Sequence, residues 1–140
     1  MTETAPTDVH PALAASRRSM AAVEAGDRER WLDLFAPDAL VEDPVGVSMF
    51  DPVGDGHRGR DGIGAFFDAA IAPNQVRFAI GRSHVAGDEV ANVGTITTTL
   101  GDGSRVLVDG VFTYRVDAEG RLLALRAYWS EADLRFDAAG

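Results

Sequence analysis

At Gln75 the spacing of apolar residues changes, and no other feature limits so strongly what the chain can fold into. Before that point apolar residues recur at helical intervals. Ile63, Phe66, Phe67, Ala70 and Ile71 follow the i, i+3, i+4, i+7, i+8 stripe of an amphipathic helix, with Asp61 as its cap. Leu13, Ser16, Met20 and Val23 form a similar stripe in a helix running from Pro11 to Gly26. Asp27 suits the N-cap of a shorter helix carrying Trp31, Leu34 and Phe35, which Pro37 ends. The strand "ALVED" follows it. After Gln75, "VRFAI", "EVANVGTITTTL", "RVLVDGVFTYRV" and "RLLALRAYW" read as strands, separated by turn signals that include "GDGS" at 101–104 and "DAEG" at 117–120. The order is helix, helix, strand, helix, then an antiparallel meander. That is an α+β fold with helices on one face of a sheet. The later strands are apolar on both faces, Val106 and Val108 against Leu107 and Val111. One face takes the helices; a second copy of the chain is the simplest cover for the other, which predicts a homodimer.

The 140 residues fit one domain, read as 11–136 behind a disordered tail at 1–10. A net charge of −9 disfavours nucleic acid and anionic membranes as partners but leaves small apolar ligands open. The absence of cysteine removes disulfides, thiolate nucleophiles and sulfur-bound metals, and suits a reducing cytoplasm. "MTETAPTDVH" lacks the basic and apolar regions of a signal peptide, and no apolar run approaches a membrane span. His10, His57 and His84 form no ligand spacing, and no metal or nucleotide motif is present, so no cofactor is expected.

Chemistry concentrates at "LVEDPVG", residues 40–46, where an apolar strand ends in two carboxylates. Side chains alternate along a strand, so Asp43 shares the face of Val41 while Glu42 faces the other way and is expected to be solvated. A long Gly- and Pro-rich loop, 44–60, follows.

The stretch "AGDRERWLDLFAPDALVEDPVG", residues 25–46, resembles the ketosteroid isomerases of the nuclear transport factor 2-like and SnoaL-like superfamily, as do "GRDGIGAFF" at 59–67 and "GRLLALRAYW" at 120–129. The resemblance implies a cone-shaped fold, a curved mixed sheet wrapped around three N-terminal helices and enclosing an apolar cavity. It also implies a steroid or similar apolar carbonyl ligand, and Asp43 as the proton-transfer base of a steroid Δ5-isomerase acting in lipid metabolism. That family stabilises the enolate with a tyrosine and a protonated aspartate. Here Ser19 stands where the helical tyrosine falls and Phe112 where the strand aspartate falls, so the oxyanion hole is degenerate. Trp129 corresponds to an aromatic position beside the base. Ser19, Phe66, Phe112 and Trp129 are the expected lining of the ligand site; Phe67 is expected in the core. Asp109 is a candidate substitute acid if a β-bulge at Gly110 turns it inward. The alternatives are a non-catalytic binder of apolar ligands, or a cyclase or epoxide hydrolase on the same scaffold. The last would use Asp109 and Arg126 around a water.

Overall fold

The computed structural model describes residues 9–138, so most of the expected tail lies outside the described residues. Helix α1 (Pro11–Ala25) begins with a proline in its first turn, where the missing N–H costs nothing, and closes at Gly26 in the left-handed region at φ 68°. Its buried face is Ala12, Ala15, Ser16, Ser19, Met20, Ala22 and Val23. Asp27 caps α2 (Arg28–Leu32) by accepting from the Arg30 amide at 3.2 Å.

Two expectations are corrected here. Helix α2 stops at Leu32, and Phe35 and Pro37 belong to strand β1 (Phe35–Glu42) instead. Proline is tolerated because the pairing of β1 slips between Phe35 and Leu40, so the missing donor falls in a gap of the ladder. Helix α3 (Gly59–Phe66) begins two residues before Asp61 and has no side-chain cap, leaving Asp61 in the first turn beside the positive end of the helix. The helix relaxes into a π-turn at Phe67–Ile71, and Phe66, Phe67 and Ile71 are all buried.

The sheet order is β2-β1-β6-β5-β4-β3, formed by β2 (His57–Arg58), β3 (Gln75–Ala86), β4 (Glu89–Thr99), β5 (Arg105–Val116) and β6 (Leu122–Tyr128) around β1. Only β1 with β6 is parallel. A last strand, β7 (Leu134–Asp137), absent from the sequence reading, takes over the edge of β5 that β6 vacates: β6 pairs with 111–116 and β7 with 105–108. No described helix is long and apolar enough to cross a membrane.

Gly94 and Gly110 pair across β4 and β5. A Cβ on Gly94 would lie 2.3 Å from the Ala79 carbonyl oxygen, and one on Gly110 would lie 2.7 Å from that of Tyr128. Neither position tolerates a side chain without backbone movement, so the two glycines allow four strands, β3 to β6, to close on one another where the sheet curves. Helices α1 and α3 fill the concave side. There Trp31 packs edge-on to Phe35 at 5.0 Å and tilted to Phe67 at 5.5 Å.

Candidate active site

Between the helices and the concave sheet lies a cavity of about 430 Å³, within the usual size of a small-molecule site. Its wall is almost wholly apolar, and the few polar groups on it are Ser19, Asp43, Asn74, Thr98 and Tyr114, with the two indole N–H groups.

Asp43 is the first residue after β1 and continues the parity of Val41, which also lines the cavity. The Trp129 indole donates from Nε1 to Asp43 Oδ1 at 2.8 Å. Burial pushes the Asp43 carboxyl up to about 6, and the Trp129 bond offsets part of that rise. The group is therefore ionised at neutral pH yet more basic than an ordinary carboxylate, as a general base requires.

Glu42 corrects the sequence reading. It is buried, and its Oε1 accepts from Arg126 Nε at 2.6 Å on the face away from the cavity. Arg126 also donates to the Tyr128 hydroxyl at 2.8 Å. Glu42 does face away from Asp43, as strand alternation requires, but the Arg126 side chain of neighbouring β6 covers it and supplies the cation.

Phe66, Phe112 and Trp129 all line the cavity as expected. Phe67 packs against Trp31 in the core. Ser19 is buried and accepts from the Trp31 indole Nε1 at 2.9 Å.

Asp109 is not part of the lining, which corrects its candidacy. The β4–β5 register runs unbroken through Gly110, so no bulge reverses the parity. Asp109 faces outward, accepting from Arg135 at 2.8 Å and Thr95 at 2.7 Å. With Arg126 bound to Glu42, the water-holding pair suggested for epoxide opening is not assembled.

Sequence reasoning missed the residues that close the cavity. Asp51 organises the long loop by accepting from the Gly54 and Gly56 amides at 3.0 and 2.7 Å. Phe50, brought in by that loop, meets Phe66 edge-on at 6.2 Å, and Met49 joins it at the rim. Leu134 and Phe136 of β7 also line the cavity, Phe136 largely exposed. Tyr114 was missed as well, although it shares the strand parity of Phe112.

Residues 16–132 match the SnoaL-like domain family. A steroid Delta-isomerase from Nocardioides simplex is 31% identical over 121 residues, covering 86% of this chain and 91% of that protein. Among solved structures, a Delta 5-3-ketosteroid isomerase from Mycobacterium sp. is 41% identical with a TM-score of 0.88, covering 91% of this chain and 99% of that one. RV0760c from Mycobacterium tuberculosis, in complex with estradiol-17beta-hemisuccinate, is 38% identical with a TM-score of 0.86 and covers 91% and 100% of the two chains.

Proposed function

The chain belongs to the SnoaL-like domain family, among its ketosteroid isomerase-like members, and we propose that it binds a steroid-like β,γ-unsaturated ketone and isomerises it through Asp43. The observation that carries this reading is the carboxylate itself: one acid in an apolar cavity, tethered by an indole, with its pKa raised to about 6. Asp43 would take a proton from the carbon between the carbonyl and the double bond, leaving a dienolate. Returned to the γ carbon, the same proton gives the conjugated ketone. No water or redox partner enters the balance. A cavity with this lining supports a ligand that is largely hydrocarbon, because burying charged groups in it would be costly.

The second reading, binding without turnover, draws on Ser19 and Phe112, which stand where the family's oxyanion donors are expected. Losing one such donor costs roughly 10²–10³ in rate. The test is an absorbance assay with a Δ5-3-ketosteroid. Slow conjugation that Asp43→Asn abolishes supports the isomerase. Unchanged affinity in Asp43→Asn, with no turnover in the parent, makes the protein a binder.

A homodimer through the convex sheet face belongs to the same proposal. Val93, Val111 and Tyr128 are cross-strand neighbours there, with Val93 41% and Tyr128 43% exposed. Such a row of apolar side chains across three strands fits a copy of itself.

A further inference from the structure

We propose that the phenol of Tyr114 is the hydrogen-bond donor to the ligand carbonyl, supplying from β5 the oxyanion stabilisation that Ser19 and Phe112 no longer provide. The inference rests on the isomerase reading of Asp43. It begins with a buried hydroxyl: Tyr114 is 2% exposed, stands two residues beyond Phe112 on the same face of β5, and lines the cavity with Asp43.

The direction of hydrogen bonding around it follows from donor chemistry. An indole N–H can only donate, so in the 2.9 Å contact of Trp31 Nε1 with Ser19 Oγ the serine accepts. The serine keeps its own proton and shares the cavity wall with the Tyr114 phenol, whose pKa it lowers. Among the described residues the buried Tyr114 hydroxyl donates to no protein acceptor, so its proton is left for a ligand oxygen in the cavity it lines. A buried O–H without an acceptor costs about 1–3 kcal/mol, which a ligand carbonyl would relieve.

The helix serine therefore acts as a positioning residue. Held by the Trp31 indole, it would steer the Tyr114 phenol from the site where the family's own tyrosine points at the ligand directly. The other polar candidates are weaker. The Asn74 amide is tied by one of its two N–H groups to the Ala70 carbonyl at 3.2 Å, and both Asn74 and Thr98 are only half-buried.

The acid–base states agree. Burial holds the Tyr114 phenol far above its ordinary range; the Ser19 bond pulls it back slightly, and the Asp43 charge adds to the rise. The donor thus stays protonated wherever the base is ionised. Asp43 and Tyr114 line the same cavity.

The test uses the full chain with Tyr114→Phe, which keeps the ring, and Ser19→Ala, which removes the steering hydroxyl. With the Δ5-3-ketosteroid, Tyr114→Phe is expected to lower kcat about 10- to 100-fold while KM changes less than about threefold, because the donor acts on developing charge. Ser19→Ala should fall between. A second readout needs no turnover. In an Asp43→Asn background, a steroid with a naphthol A ring reports its own ionisation by absorbance when bound. Adding Tyr114→Phe should make that bound naphthol about tenfold less acidic. If the parent shows no isomerisation, the Asp43 reading fails while the naphthol arm still decides Tyr114. A lowered melting temperature with neither a kcat loss nor a naphthol shift would make Tyr114 a packing residue and overturn the proposal.

Discussion

Trp129 Nε1 donates to Asp43 Oδ1 at 2.8 Å, so the residue that follows β6 holds the carboxylate that follows its parallel partner β1. The bond links two strand ends 86 residues apart, and the ring carrying the donor is itself part of the apolar wall.

Removing that donor should make the base more basic. In Trp129→Phe the burial that raises Asp43 remains while the bond that lowers it is lost. The rise of kcat/KM with pH, centred near 6 in the parent, should move upward by about half to one unit. A pH–rate profile of the two proteins checks this.

The same carboxyl makes stability depend on pH in a direction opposite to a paired acid. Its folded pKa of about 6 lies above the ordinary value of 3.8. Below about pH 4 both folded and unfolded forms are protonated; between about 4 and 6 the folded state retains a proton the unfolded chain has released. The favourable contribution is thus complete in acid and lost as pH rises through 6. Asp43→Asn has no such loss. It should gain about 2–3 kcal/mol over the parent at pH 7.5 and almost nothing at pH 4, read from paired denaturant titrations.

Glu42 should matter for folding alone. Its side chain is 9% exposed and its partner Arg126 is 40% exposed. Glu42→Ala should therefore cost about 1–3 kcal/mol, with Glu42→Gln milder because it can still accept from Arg126. Neither variant should shift the pH–rate midpoint, since the pair lies on the face opposite the cavity.

The convex apolar row gives a prediction about assembly. Val111→Arg inserts a charge between Val93 and Tyr128. Sedimentation should find the parent as a dimer at micromolar concentration and this variant as a monomer. A monomeric parent would remove the dimer.

The change of period at Gln75 and the parity of strand residues carried much of what could be read ahead of the structure. Parity puts Asp43 and Glu42 on opposite faces, but for Phe112 and Asp109 it holds only in a strand without a bulge, which the β4–β5 register establishes. Periodicity, however, describes one element at a time. It could not show that Arg126 covers Glu42, since that contact belongs to the pairing of β1 with β6. Tyr114 shares the inward parity of Phe112, but parity does not show that its hydroxyl is left without a partner in a cavity. β7 is only four residues long and mostly exposed, too short to announce itself by alternation.

The division of β5's edge between β6 and β7 has a practical side. Because Leu134 and Phe136 line the cavity, anything fused after Asp137 begins beside the ligand site. The other end of the described chain is moored elsewhere, with His10 hydrogen-bonded at 2.8 Å to the Gly87 carbonyl at the far tip of the β3–β4 hairpin. Handles for purification or immobilisation therefore belong before α1. A binding constant measured with a C-terminal tag would partly report the tag.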